Sequence, residues 1–150
     1  MVKPHDATAA QDIGVPFVAH LGLVLEATQA GQSVLRFAPR PEHLNSFGVT
    51  HGGVLMTLLD ASMASAARSV QADMGVVTIE MKTSFMQAAR GPLRACGQLL
   101  HRTATLAFVQ AVVYDEAERM CAQASGTFKF VRRLAAPRNH QAPAAPDAFD

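Results

Sequence analysis

Residues 53–70 read Gly-Val-Leu-Met-Thr-Leu-Leu-Asp-Ala-Ser-Met-Ala-Ser-Ala-Ala-Arg-Ser-Val. Ala, Leu and Met dominate the run, and all three favour helix over other backbone states. Val54, Leu55, Met56, Leu58, Leu59, Ala61, Met63, Ala64, Ala66 and Ala67 leave almost no polar face. A helix that is apolar nearly all round is expected to be buried nearly all round. No second stretch of this kind occurs in the 150 residues, so one greasy helix must be wrapped by something else.

The flanking sequence supplies the wrapping. Upstream, Ile13–Leu21 suits a short helical turn, and Leu23–Thr28 and Ser33–Phe37 read as strands joined at Ala30-Gly31-Gln32, a tight hairpin turn. Residues 41–53 carry Pro41, Asn45, Gly48 and two adjacent glycines, and suit no regular element. Downstream, 76–85, 92–101, 105–115 and 119–131 are all strand-like. In the first of these, period-two alternation puts Val77, Ile79, Met81 and Phe85 on one face, interrupted only by Thr83. Thr78, Glu80, Lys82 and Ser84 then fall on the other. The connections at 89–91, 102–104 and 116–118 are short, which favours antiparallel meander pairing over parallel crossovers. The order β-β-α-β-β-β-β predicts an α+β hotdog fold: one curved antiparallel sheet around a central buried helix.

Composition narrows the function. Apolar residues make up 49% and charged residues 17%, and the formal net charge is +1. Bulk charge therefore gives no reason to expect nucleic acid as a partner. The low charge content hints at subunit association. Ten arginines stand against three lysines; arginine forks suit phosphate, although biased usage gives the same count. Cys96 and Cys121 lie in apolar strand-like runs and read as small buried hydrophobes. No CxxC or HxxxH spacing suggests a metal site. The first residues lack the apolar core of a signal peptide, and residues 53–67 are too short for a membrane span. The expectation is a soluble, cytoplasmic chain with no membrane association. A folded domain is expected over 12–133, with a disordered Ala/Pro-rich tail over 134–150.

Two features carry chemistry. His51-Gly52-Gly53 opens the helix, where free N–H groups and the dipole suit an anion or a polarised carbonyl oxygen. The same glycines also suit a plain tight turn into the helix. Asp60 sits two turns further on, in apolar surroundings where an unpaired carboxylate is costly, and is the candidate functional carboxylate. Gly53 and Asp60 are seven residues apart, hence nearly on one face but separated by roughly 10 Å along the axis. One carbonyl cannot easily meet both on a single helix, so a shared site requires two chains.

The pattern N-x-x-G-x-x-H-G-G-x6-D, here Asn45, Gly48, His51, Gly52, Gly53 and Asp60, resembles the signature of hotdog thioesterases of the phenylacetate-pathway (PaaI) type. Gly75–Met86, with Thr-Ile-Glu-Met-Lys inside it, and the Thr-Leu-Ala-Phe strand extend the likeness over about residues 14–132. The resemblance implies hydrolysis of acyl-CoA, with Asp60 as nucleophile or as the base that activates water. The Gly53 amide would form the oxyanion hole, and Asn45 and His51 would orient substrate or loop. Thr78 would position the water or Asp60, although a plain strand residue fits there equally. Gly52 would line the substrate path, and Arg102, Arg132 or Arg133 would meet the CoA phosphates. The resemblance implies no metal and no redox cofactor, and a homodimer with shared sites or a homotetramer. A hotdog hydratase or dehydratase and a non-catalytic acyl-CoA-binding protein are the alternative readings.

Overall fold

The computed structural model describes residues 13–133. The expected tail, 134–150, lies outside them. The elements run α1 (Pro16–Leu21), β1 (Val24–Gln29), β2 (Gln32–Phe37), α2 (Gly52–Arg68), β3 (Met74–Phe85), β4 (Leu93–Arg102), β5 (Leu106–Tyr114) and β6 (Met120–Arg132), with a 3-10 turn at Pro41–His43 inside the loop read as irregular. All six strands form one antiparallel sheet in the order β1-β2-β4-β5-β6-β3. The sheet curls around α2, which packs against every strand. This is the hotdog fold.

Local chemistry explains the joints. At the β1–β2 hairpin Ala30 and Gly31 both have positive φ, +49° and +80°, as a two-residue turn matching the twist of its strands requires. The Gly31 N–H donates to Ser69 Oγ at 2.7 Å, fastening the hairpin tip to the end of α2. Between β5 and β6, Asp115 accepts from the backbone N–H groups of Arg119 and Ala117 and from the Arg119 guanidinium. Those bonds, led by the Arg119 amide, hold its carboxyl below the usual range despite burial.

The core lies between the concave face of the sheet and α2. Leu35, Leu58, Leu59, Met63, Val113 and Phe128 are fully buried there. Helix and sheet come into close contact at Gly97, where a Cβ would stand 2.4 Å from the Ser62 carbonyl oxygen. Ser33 Oγ donates to that same oxygen at 2.7 Å, so the contact is a hydrogen-bonded seam rather than a gap.

Three sequence expectations need correction. First, β3 does not join the meander. β4, β5 and β6 pair in succession, but β3 lies on the far side of β6, and residues 86–92 carry the chain across to β4. The crossing segment is fixed at its start, where the Met86 and Gln87 N–H groups both donate to the Cys121 carbonyl. Second, β3 does not keep period-two alternation through Thr78–Glu80. Its register against β6 shifts between Thr78 and Glu80, so Ile79 is an extra residue. Val77 and Ile79 point outward, 46% and 55% exposed, while Thr78 faces α2 with Met81. Third, α2 is not buried all round. Met56, Thr57, Asp60, Ala64 and Arg68 form a partly open stripe at helical spacing.

Candidate active site

The open stripe of α2 lines a cavity of about 760 Å³. Its other walls are α1 with the residues before it, including Val15 and Phe17, and the first half of β3, including Val76, Thr78 and Met81. The walls are mostly apolar, and Asp60, Thr57, Thr78, Ser65, Arg68 and Arg133 are the polar residues among them. Asp60 is half-buried, and its Oδ1 accepts a hydrogen bond from Thr78 Oγ1 at 2.6 Å. The β3 bulge makes this contact possible: without the extra residue, Thr78 and Met81 could not both face the helix. One carboxylate oxygen is thereby fixed, and Oδ2 stays available to a water or a carbonyl carbon.

The helix entry is organised by His51, the N-cap of α2. Its Nδ1 accepts from the Gly53 N–H at 2.9 Å, so the neutral ring carries its proton on Nε2. The Gly53 amide, read from sequence as the oxyanion donor, is therefore already engaged. The Val54 and Leu55 N–H groups bond the His51 carbonyl. The Gly52 N–H is left, the one amide of this first turn with no acceptor among the described residues. The open donor thus sits one residue earlier than the sequence reading put it. The edge of the Phe85 ring lies 3.4 Å from where a Gly52 Cβ would be.

Asn45 shapes the loop before the helix. Its Oδ1 accepts from the Phe47 N–H at 2.9 Å and the Val49 N–H at 3.3 Å, while Gly48 takes φ +68° to close the turn. The loop is tied down where the His51 N–H meets the His43 carbonyl and the Thr50 N–H meets the Ala89 carbonyl. Phe47 projects from its tip, 82% exposed. Asn45 and His51 therefore order the loop and the helix start.

The three arginines separate. Arg102 donates to the Val70 carbonyl and to Gln71 Oε1 and lies over the Phe130 ring, so it closes the C-terminal end of α2. Its guanidinium is committed within the fold rather than offered to a phosphate. Arg132 and Arg133 are exposed at the end of β6, and Arg133 reaches the cavity wall. Sequence reasoning missed Arg68, which lines the same cavity. Its signal was the spacing Thr57, Asp60, Ala64, Arg68, one stripe of a helix. Among the described residues no helix is long and apolar enough to cross a membrane.

Comparisons with known proteins agree with this architecture. The family profile of the thioesterase superfamily matches residues 47–122, just over half of the chain. A Saccharolobus solfataricus protein named "Putative esterase SSO2140" is 29% identical over 105 residues, covering 69% of this chain and 75% of that protein. Among solved structures, the conserved protein PA5202 from Pseudomonas aeruginosa superposes with a TM-score of 0.75 at 28% identity, over 78% of this chain and 94% of its own. The E. coli PaaI protein from the phenylacetic acid degradation operon gives 0.74 at 19% identity, over 79% and 86%, a likeness of fold.

Proposed function

Because the chain belongs to the thioesterase superfamily, a family of thioester hydrolases, we propose that it cleaves acyl-CoA to a free acid and CoA, with Asp60 as the catalytic carboxylate. The observation that carries this reading is a half-buried carboxylate on a mostly apolar helix, opening on a mostly apolar cavity and held at one oxygen by Thr78. Asp60 Oδ2 takes the proton of a water as that water attacks the thioester carbon. The carbonyl oxygen gains negative charge and is met by the Gly52 N–H at the positive end of α2. The C–S bond then breaks, and the proton held by Asp60 passes to the leaving thiolate. Direct attack by Asp60, through a mixed anhydride that water opens, uses the same residues. His51 supports the donor by capping Gly53, Asn45 holds the preceding loop, and Arg132 and Arg133 serve the CoA phosphates.

Gly52 and Asp60 are eight residues apart, about 12 Å along the axis, so the two groups that meet one carbonyl come from two chains. What supports a homodimer is β3. It is an edge strand of twelve residues, unpaired on one side, with Val77 and Ile79 turned outward. A long apolar edge invites pairing. Two such edges related by a two-fold axis would lay the α2 helices antiparallel, each entry beside the other's Asp60. Association of two dimers through their outer sheet faces gives the tetramer.

A hydrolysis screen over short, medium, long and aromatic acyl-CoAs, reading free thiol, tests the activity. Asp60→Asn is expected to retain the fold and cut turnover by about two or more orders of magnitude. Near-wild-type turnover in that variant would remove Asp60 from the mechanism. The hydratase alternative predicts water addition to an enoyl-CoA; it also needs a proton-moving histidine, whereas the His51 Nδ1 is occupied by its cap.

A further inference from the structure

The cavity beside Asp60 has a second polar end that hydrolysis does not use. Arg68 stands in the last turn of α2, eight residues and about 12 Å beyond Asp60 along the axis. Its Nε is buried and has no hydrogen-bond acceptor among the described residues. No carboxylate forms an ion pair with it there. Between the two ends the walls are Val18, Ala61, Ala64, Val76 and Met81. Ser65, itself buried, lies one turn before the arginine and lines the same end.

An arginine with a buried, unanswered donor is costly unless something completes it. Five other guanidinium groups have partners in the fold, while Arg90, Arg132 and Arg133 are exposed to solvent. Arg36 is paired with Glu26, Arg40 with Glu42, Arg94 with Glu118 and Arg119 with Asp115. Arg102 is satisfied by a carbonyl and an amide oxygen. Among the described residues, Arg68 alone combines a buried unanswered N–H with a place on the wall of this cavity.

We propose that Arg68 is the specificity-determining residue of the acyl pocket and selects acyl-CoA substrates whose acyl chain ends in an anion, a terminal carboxylate above all. The proposal rests on the acyl-CoA hydrolase reading and names its substrate class. The apolar walls receive the methylene chain, and the guanidinium fork receives the carboxylate in the geometry that arginine favours. A CoA phosphate is the other anion in the same substrate. The nucleotide is bulky and hydrated, and Arg132, exposed and off the cavity wall, suits it better than a buried Nε does, although Arg133 lines the same cavity as Arg68.

The test compares substrates of equal carbon number: succinyl-, adipyl- and suberyl-CoA against butyryl-, hexanoyl- and octanoyl-CoA. Wild-type protein is expected to favour at least one dicarboxylic member by about tenfold or more in kcat/KM, because a site built to hydrogen-bond a group rejects the analogue lacking it. Arg68→Met preserves the apolar stem, and Arg68→Gln preserves a donor; both are expected to bring that ratio close to one. A wild-type ratio near one at all three lengths overturns the proposal. So does a ratio unmoved in a folded Arg68→Met. A third overturning result is an equal rise in KM for both members of each pair that vanishes with 3′-dephospho-CoA thioesters, since Arg68 would then serve the CoA phosphate. Hydrolysis of the monocarboxylic series without selectivity leaves the hydrolase reading standing and this one refuted. If no thioester is cleaved, the hydrolase reading fails, and calorimetric binding of free adipate against hexanoate decides the anion site: adipate binding lost in Arg68→Met supports it, and equal or absent binding refutes it.

Discussion

Valine and threonine differ by a methyl for a hydroxyl, and at position 78 that hydroxyl is what reaches Asp60, at 2.6 Å. The bond fixes one carboxylate oxygen and leaves the other for the chemistry proposed above. Thr78→Val should therefore lower kcat about tenfold through lost orientation of the carboxylate, with KM little changed. Thr78→Ser should restore most of the loss; equal defects in the Val and Ser variants would make Thr78 a packing residue only. Asp60 itself was legible in the sequence, because a carboxylate among Leu, Met and Ala contradicts its surroundings. The direction of Thr78 came only from the resemblance, which offered it as a partner of the water or of Asp60, and not from the strand pattern. Alternation puts it on the same face as Glu80, and a bulge leaves no trace in the residue types of β3. The helix entry was legible only in part. The glycine pair was visible, but which amide is free depends on the His51 ring turning its Nδ1 onto Gly53. No spacing rule encodes a side-chain torsion.

At the scale of elements, periodicity located every strand and both helices to within a few residues, since burial imposes period two on strands and the near-uniform apolarity of α2 marks a wrapped helix. Pairing partners were harder. The connection after β3 is seven residues, 86–92, short enough to pass for a hairpin, yet it crosses from one edge of the sheet to β4. Length constrains a connection only weakly when the sheet is curled and distant strands lie close. One tight helix–sheet contact was equally hidden: Gly97 looks like a casual strand glycine. In the structure it is where β4 lets α2 approach, and an added Cβ would fall 2.4 Å from the Ser62 carbonyl oxygen and 2.5 Å from Ser33 Oγ. Backbone, not a flexible side-chain tip, would have to move. Gly97→Ala is therefore expected to cost about 3 kcal/mol, the upper part of the range for overpacked cores, read as a lowered midpoint in urea unfolding. A change below about 0.5 kcal/mol, the scatter of neutral surface substitutions, would show that helix and sheet separate freely at this seam.

For the whole molecule, the decisive question is whether one chain makes a complete site. Low charge content and the seven-residue gap already pointed to two chains, and the unpaired β3 edge adds a place for them to join. The shared-site proposal is testable by complementation, and the helix entry offers a mild lesion. Gly52 is the first residue of α2, a position where proline is favoured because its missing N–H serves no helical bond. His51 before it has φ −60° and ψ 140°, the conformation that a residue preceding proline prefers. A Cβ on Gly52 would meet only the edge of the Phe85 ring, at ordinary contact distance. Gly52→Pro should therefore fold and dimerise like the parent while deleting one donor. It should be nearly inactive, as should Asp60→Asn. Mixed under conditions that exchange subunits, the two variants form dimers in which one site carries both lesions and the other carries neither. Random pairing makes about half of the dimers mixed, each with one working site of two, so roughly a quarter of parental activity should return. If exchange is verified by mass, both variants are folded, and activity stays at the level of the separate variants, then Gly52 and Asp60 act within one chain and the dimer is not what completes the site.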